Sequence, residues 1–335
     1  MPHAPQRSRL AFIASGFLGA LLPASLKARS ARMFGQTYTE IKSLANRFGM
    51  GHAILTPRKT ERVASRWSAL SFTLHKRELV YNKVKIALGY AVAESGGSLW
   101  MSQNDIEANV EPLLIPQQTE PKPKLYRIVL DPGHGGKDTG AINKRLGLRE
   151  KDLALEVAHK LKRKLGALGY QVLMTRETDK FIELEDRPAF ANKVKADLFV
   201  SIHFNSVSNT SVEGIETFVM SPKGQPSTRN SKRHRSDAIS HAGNANDTWN
   251  LIAGYTLQKE LINTFKNQTD RGVKRARFAV LRDAKVPALL LELGFVSHYA
   301  TARALKSSNQ VEALAECLKT GIFEYQKRLN TIRGK

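Results

Sequence analysis

The sequence predicts an α/β protein, with a mainly parallel sheet covered by helices on both faces and preceded by a small α+β domain. Three observations indicate this fold class. From residue 125 to about residue 330, strand patterns alternate with helical patterns, and the strands are almost continuously apolar, as in sheets buried on both faces. Between residues 35 and 115, strand-like segments instead alternate apolar with polar residues. A polar, proline-rich linker at residues 116–124 separates the two regions.

Residues 1–28 resemble an export signal or an N-terminal anchor. Arg7 and Arg9 precede an uncharged run from residue 10 to residue 22, which is shorter than the roughly 20 apolar residues that span a bilayer. Cleavage would fall near Ala24 or Ala28. The alternative is a partly buried N-terminal helix of a cytosolic protein. We expect an exported protein.

Residues 35–115 predict the small α+β domain. An amphipathic helix is expected at residues 38–48, followed by a β-rich stretch over residues 70–88. Ser102, with Asp105 three residues later, has the spacing of a helix start. With residues 112–114, this pattern is similar to the small repeat domain found at the N-terminus of some copper amine oxidases and beside some wall hydrolases. The resemblance implies a wall-binding or targeting role.

The C-terminal region, residues 125–330, predicts the larger sheet with its helices. The single cysteine, Cys317, lies in an apolar helical pattern and is expected to be a buried thiol. Ligands of open α/β sheets bind at the carboxyl ends of the strands, so functional residues are expected at these ends. The predicted strands are residues 126–130, 171–175, 198–202, 215–220 and 288–293, and the predicted helices are residues 150–168, 184–196, 247–266 and 311–327.

Two histidines follow two of these strands. His134 lies in the glycine-rich segment Asp131-Pro-Gly-His-Gly-Gly, and His203 lies in Ser201-Ile-His-Phe-Asn. The first segment lacks the glycine at 131 and the Ser or Thr at 138 that a phosphate-binding P-loop would need. Because imidazole is the commonest zinc ligand, two histidines at the ends of strands in one sheet predict a zinc site. One histidine alone would more often be structural.

The third zinc ligand is not decided by spacing, because four carboxylates lie near enough in sequence. Glu292 is different, since it lies inside the apolar strand Leu289-Leu-Leu-Glu-Leu. A buried carboxylate costs several kcal/mol unless it is paired or neutralised, so a general base or acid is expected there. The alternative is a structural ion pair with Arg187 or Arg176. The four candidates for the third ligand are Asp131, Asp138, Glu150 and Asp152.

Taken in order, the motifs resemble those of the bacterial zinc-dependent N-acetylmuramoyl-L-alanine amidases, over about residues 125–328. The resemblance implies that His134, Glu150 and His203 bind one Zn²⁺ and that Glu292 is the catalytic glutamate. Asn205 and Arg187 are candidate substrate-contacting or supporting residues. The segments that carry the resemblance are Asp131-Pro-Gly-His-Gly-Gly, Arg149-Glu-Lys-Asp, Thr175-Arg, Leu184-Glu-Asp-Arg, Ser201-Ile-His-Phe-Asn, Gly214-Ile-Glu-Thr, Arg271-Gly-Val-Lys and Leu291-Glu-Leu-Gly-Phe.

The resemblance also implies a function. The expected reaction is hydrolysis of the amide between N-acetylmuramic acid and L-alanine in peptidoglycan, by a zinc-activated water and a glutamate base, in wall remodelling or daughter-cell separation. The expected location is the periplasm or the cell wall, and an activating protein partner is not identified. The alternative is a catalytically inactive protein that binds peptidoglycan or regulates its turnover.

The net charge of the chain indicates which partners it can bind. The formal net charge of +22 attracts polyanions, and anionic wall polymers or a membrane surface account for it as well as nucleic acid would. No nucleic-acid partner is expected, because the chain has no zinc-finger or RNA-binding aromatic motif. The sequence departs from the family in having His298 where Asn is frequent, and in a long basic stretch at residues 221–247. Some relatives carry an inhibitory helix in that region. Here we expect a polar loop that faces the substrate, and the alternative is a disordered, solvated loop.

Overall fold

The computed structural model describes residues 28–230 and 232–334. Apart from Ala28, the predicted export segment lies outside these residues. Among the described helices, none combines the length and the apolar character that crossing a membrane requires.

In the described part of the chain, the fold is built on one sheet of eleven strands, a second sheet of four and a two-stranded sheet of β11 and β12. The strand order of the large sheet is β13-β10-β14-β17-β15-β16-β7-β6-β5-β4-β3, and that of the small sheet is β1-β2-β9-β8. The strands are β1 Ser30–Met33, β2 Gln36–Glu40, β3 Gly51–Thr56, β4 Thr60–Ala64, β5 Ala69–Thr73, β6 Glu78–Tyr81, β7 Val84–Ala87, β8 Ala93–Ser95, β9 Ser98–Ser102, β10 Arg127–Pro132, β11 Ile142–Asn143, β12 Leu148–Arg149, β13 Gln171–Met174, β14 Leu198–Asn205, β15 Ile215–Met220, β16 Asp270–Ala276 and β17 Ala288–Phe295.

The C-terminal half of the large sheet is mainly parallel. Strands β13, β10, β14 and β17 run parallel to one another, and β15 runs parallel to β16. Only the β15–β17 pair in this half is antiparallel. The structure confirms the predicted fold class. Strand β16, which carries the Arg271-Gly-Val-Lys motif, was not predicted, because its alternation of charged and small residues gives no apolar run.

Helices cover both faces of this half. Side chains of β10 alternate between the faces, so that Ile128 and Leu130 join the core under α4, α6 and α9, and Val129 joins the core under α5 and α7. Cys317 of α9 is buried, as predicted. The helices are α1 Ile41–Arg47, α2 Gln103–Asp105, α3 Glu111–Leu114, α4 Glu150–Ala167, α5 Asp186–Lys193, α6 Asp247–Thr264, α7 Ala279–Arg282, α8 Tyr299–Leu305 and α9 Ser308–Ile332.

The N-terminal strands extend the same sheet. Strands β3 to β7 form an antiparallel meander, and β7 joins β16 in parallel through the pair Ile86 and Val273. Apolar side chains of both regions belong to one continuous core. The division into a domain at 35–115, a linker at 116–124 and a domain at 125–330 stays a prediction about folding units, since one sheet runs through both regions.

A buried arginine links the two regions. Arg275 of β16 donates to the carbonyl of Ala108, to Asn109 Oδ1 at 2.6 Å and to the carbonyl of Met220. Asn109 Nδ2 in turn donates to Asp105, which is fully buried. The junction is therefore held by a polar network as well as by backbone pairing.

Candidate functional site

Three side chains that can bind a metal meet beside the carboxyl ends of β10 and β14. Glu150 Oε1 lies 3.0 Å from His134 Nε2 and 2.9 Å from His203 Nδ1. One nitrogen or oxygen atom from each side chain lies within 4.8 Å of the others. Of the four carboxylates that spacing left open, Glu150 is the one that the fold brings between the histidines.

Local backbone geometry allows this close approach. His134 follows β10 with a φ of 59°, in the left-handed region that costs a non-glycine residue energy and is often found at functional sites. A Cβ atom on Gly133 would lie 2.3 Å from the His203 ring. A Cβ atom on Gly140 would lie 2.7 Å from Glu150 Oε2. Glycine at these two positions leaves the space in which the imidazoles and the carboxylate meet.

Further contacts orient the three side chains. His134 Nδ1 is 2.7 Å from Asp138 Oδ2, an arrangement that fixes the ring and leaves Nε2 towards Glu150. The backbone N–H of Ala141 donates to Glu150 Oε2, and that of Phe204 donates to Oε1. Burial acts to raise the pKa of Glu150, but its hydrogen bonds to the histidines outweigh burial and lower that pKa well below its usual range.

Burial acts to lower the pKa of His134, but the carboxylates of Glu150 and Asp138 outweigh it and raise that pKa. The cluster therefore places negatively charged carboxylates next to the histidines. A metal cation between the three side chains would take the place of the added proton, so the donor set fits a metal such as zinc, which commonly has three protein ligands and an open position in catalytic sites.

Glu292 lies next to this cluster. It is the register partner of His203 on the neighbouring strand β17. No described side chain or backbone group donates to its Oε2 atom, which is buried. Burial, followed by the charges of Glu150 and Glu216, raises the pKa of Glu292 well above its usual range. The carboxyl group is thus poised to hold a proton.

The alternative of a structural ion pair at Glu292 is wrong. Arg187 Nη1 donates to Asp131 Oδ1 at 2.9 Å, and Arg176 donates to the carbonyls of Pro132 and Gly133. Asp131 also accepts from the hydroxyls of Thr175 and Ser201, so its oxygens are occupied away from the histidines. The remaining carboxylate candidate, Asp152, pairs with Arg149 on the surface.

Arg187 supports the loop that carries His134. Its Nη2 atom donates to the carbonyls of His134 and Ile182. Because the guanidinium is buried and also bound to Asp131, it ties this loop to the segment before α5. The structure therefore gives Arg187 contacts that position a ligand-bearing loop.

A second buried carboxylate, Glu216 of β15, was not among the predicted site residues. It faces Glu292 across the β15–β17 pair and accepts from Asn205 Nδ2 at 2.9 Å. Arg271 Nε and Lys274 Nζ lie 2.6 Å and 2.5 Å from its Oε2 atom. The pattern that singled out Glu292, a carboxylate inside an apolar strand, also applies to Glu216 in Ile-Glu-Thr-Phe-Val-Met and would have found it.

The cluster opens into a cavity of about 790 Å³. His134, Glu150, His203 and Glu292 all line it, together with Asn205 and Arg187. One part of the wall is apolar and was not predicted from the sequence. These apolar lining residues include Phe181, Ile182, Leu184, Phe278, Val280 and Leu290.

The basic loop at residues 221–247 does not contribute to this wall in its described part. It contains two short turns, Arg235–Ala238 and Ala242–Asn246. Gln225 donates to Asn104, and the carbonyl of Gly224 accepts from Tyr90. The loop thus packs on the N-terminal region, whereas we expected it to face the substrate.

Fold and site together define a class of protein: an α/β protein in which two histidines and a glutamate meet beside the carboxyl ends of parallel strands, next to a second glutamate whose Oε2 atom is buried without a partner. Two histidines with one glutamate form a donor set used by hydrolytic zinc enzymes.

The chain belongs to the N-acetylmuramoyl-L-alanine amidase family Amidase_3, whose sequence profile matches residues 128–324, more than half of the chain. It is 34% identical over 254 residues to the N-acetylmuramoyl-L-alanine amidase AmiC of Escherichia coli, covering 67% of this chain and 59% of that protein. The chain thus spans little more than half the length of this relative.

Solved structures show the same relationship. The amidase AmiC2 of Nostoc punctiforme superposes with a TM-score of 0.51 at 30% identity, covering 61% of this chain and 98% of that one. The CwlD amidase of Clostridioides difficile, solved in complex with the GerS lipoprotein, matches with a TM-score of 0.51 at 26% identity, covering 61% of this chain and 99% of that one.

Proposed function

We propose that this protein is a zinc-dependent hydrolase that cleaves the amide bond between N-acetylmuramic acid and L-alanine in peptidoglycan. The observation that carries the proposal is the meeting of His134, Glu150 and His203 beside the unpaired carboxyl of Glu292, in a chain of the amidase family. A binding protein without catalysis would not need a buried carboxyl group without a partner, because such a group destabilises the fold.

In this proposal His134, Glu150 and His203 hold the zinc ion. When bound, zinc supplies a Lewis acid that polarises the amide carbonyl and makes a nearby water more acidic. The protein supplies the remaining steps. The Glu292 carboxylate accepts the proton of the attacking water and then gives it to the departing amine of L-alanine. Because burial raises the pKa of Glu292, its carboxyl group holds the proton between the two transfers.

The apolar wall serves the same chemistry. Phe181, Phe278 and Leu290 form an apolar part of the cavity wall, which limits bulk water on that side and strengthens the electrostatic interactions at the site. Asn205 is fixed by Glu216 and can hold the substrate through its carbonyl or its remaining N–H. Arg187 acts indirectly, by holding the loop of His134.

The test is a digest of purified peptidoglycan, with the released ends identified by mass spectrometry. Lactyl ends on the glycan and free L-alanine amino termini are expected, and a chelator should abolish both. Glu292→Gln should keep one zinc per chain by elemental analysis and lose turnover. Full activity of Glu292→Gln would remove Glu292 from the mechanism, and adsorption without cleavage by the wild-type chain would favour the inactive binding protein.

The metal ligands are tested separately. His134→Ala, Glu150→Ala and His203→Ala should each reduce the zinc content, whereas Asp152→Ala, at a rejected and surface-paired candidate, should retain it. Unchanged zinc stoichiometry in Glu150→Ala would refute the assignment of the third ligand.

The proposal extends to location and partners. We propose that the chain acts outside the cytoplasm, in the periplasm or the cell wall, where peptidoglycan lies, and that residues 35–115 contribute to wall binding. The net charge of +22 suits anionic wall polymers or a membrane surface. Adsorption to purified sacculi should weaken as salt is raised; equal adsorption at low and high salt would exclude this role of charge.

A further inference from the structure

A lysine at the cavity wall has no role in the proposed reaction. Lys137 follows His134 by three residues and lines the same cavity. Its Nζ atom lies 4.3 Å from the centre of the Phe181 ring, a cation–π contact that holds the side chain on one wall. The side chain is exposed, so its ammonium group remains available to a ligand.

The other cationic groups of the cavity are already engaged. The guanidinium of Arg187 is buried against Asp131 and three carbonyls. The two histidines contact Glu150. Among the described residues that line the cavity, Lys137 is thus the one cationic side chain without a carboxylate in salt-bridge contact.

Nearby carboxylates do not neutralise Lys137. Asp138 is bound to His134 and to the N–H of Gly140. Asp179, close to Gly136, is bound to Lys151. Glu183 and Glu292 also line the cavity and would repel an anionic ligand. Among the described side chains of the cavity, Lys137 is therefore the one that can compensate the charge of an acidic ligand group that does not contact the metal.

We infer that Lys137 binds a free carboxylate of the stem peptide and makes the enzyme selective for substrates whose residue after L-alanine is a free acid and not a carboxamide. This inference rests on the proposed function. Two residues of extended chain span about 7 Å, and Lys137 lines the same cavity as the three candidate metal ligands, so a stem peptide that continues beyond L-alanine passes along a wall that carries this lysine. The contact is a charge-assisted hydrogen bond, which a neutral carboxamide forms more weakly.

The experiment measures binding without turnover. The zinc-loaded Glu292→Gln protein is titrated by calorimetry with N-acetylmuramoyl-L-alanyl-D-isoglutamate and with its isoglutamine analogue. The acid is expected to bind about tenfold more tightly at low salt, with the difference reduced at high salt. In Glu292→Gln combined with Lys137→Gln, the two ligands should bind equally, whereas Lys137→Arg should retain most of the preference.

Lys180→Gln is the matched control. It removes the same charge from an exposed lysine next to Phe181 that does not line the cavity, so the preference should survive. The inference is overturned if the protein that retains Lys137 binds the acid and the carboxamide equally. It is also overturned if Lys137→Gln keeps the same preference for the acid. Both results count against the inference even if the protein cleaves peptidoglycan. A preference that disappears with Lys137 in a chain that cleaves no peptidoglycan would instead support the contact between Lys137 and the carboxylate, and would refute the proposed function.

Discussion

Replacement of Arg275 by methionine should destabilise the whole chain, because this buried arginine joins β16 to the N-terminal region. It donates three hydrogen bonds, to Met220, Ala108 and Asn109. A hydrogen bond from a charged group contributes about 1.5–3 kcal/mol, and part of that gain offsets the cost of burying the guanidinium. Burial lowers the pKa of Arg275 to about 10, which shows that this cost is appreciable.

The expected net loss is about 3–5 kcal/mol in the free energy of unfolding, typical of removing one partner from a buried charged network. Urea denaturation is the assay. With a slope of about 3 kcal/mol per molar urea, the midpoint should fall by about 1–1.7 M. Arg275→Met combined with Asn109→Ala should destabilise less than the sum of the single variants, because the two residues share a 2.6 Å hydrogen bond.

The control is Arg282→Met, which removes a charge from a surface pair with Asp283 and should cost at most about 0.5 kcal/mol. Hydrogen exchange of β5 and β14 should show that both segments lose protection in the same transition, as expected for one continuous core. A loss below about 1 kcal/mol in Arg275→Met, or separate transitions for the two strands, would refute the view that this junction carries stability.

Three further predictions concern other buried groups. Burial raises the pKa of Asp247 to about 6, above its unfolded value, so the contribution of this residue to the free energy of unfolding is full below about pH 4 and is lost as pH rises through 6. The Asp247→Asn variant should therefore be more stable than the wild type at pH 7, by up to about 3 kcal/mol. A stability difference between the two proteins that does not change with pH would contradict this. Gly133→Ala should lower the zinc affinity, because the new Cβ atom would lie 2.3 Å from the His203 ring. Gly166→Ala, whose Cβ atom would meet no other atom, should leave the zinc affinity unchanged. Equal zinc content of the two variants at limiting metal would show that the space between Gly133 and His203 is not needed for zinc binding. Cys317 should resist thiol reagents in the native protein and react fully in urea, since burial raises the pKa of its thiol to about 11. Rapid labelling of Cys317 in the native protein would contradict its burial.

The sequence was most informative where apolar runs are long. The predicted strand at residues 215–220 coincides with β15, and the predicted helix at residues 150–168 differs from α4 by one residue. Strand β15 can be predicted because all of its side chains are buried and most of them are apolar. Helix α4 can be predicted because its buried apolar side chains recur with the helical period. Cys317 was predicted correctly for the same reason.

The features that could not be predicted from the sequence depend on contacts between residues that are distant in the chain. Glu150 lies between the histidines because α4 begins beside the end of β14, a placement that spacing along the chain does not contain. Strand β16 has no apolar run because its charged side chains bind Glu216 and Asn109 of other elements. The wall formed by Phe181 and Phe278 also joins segments about a hundred residues apart.

The meander of β3 to β7 also determines where the large sheet ends. Without it, β16 would present a row of unpaired backbone groups, next to the strand that carries Glu216, as a template for pairing with another chain. With it, the outermost strand on that side is β3, whose hairpin turn carries Arg58 and Lys59. Positive charge at an open edge discourages edge-to-edge association. The N-terminal strands thus move the open edge on this side of the sheet away from the strands that carry Glu216 and Glu292, to an edge flanked by the positive charges of a turn.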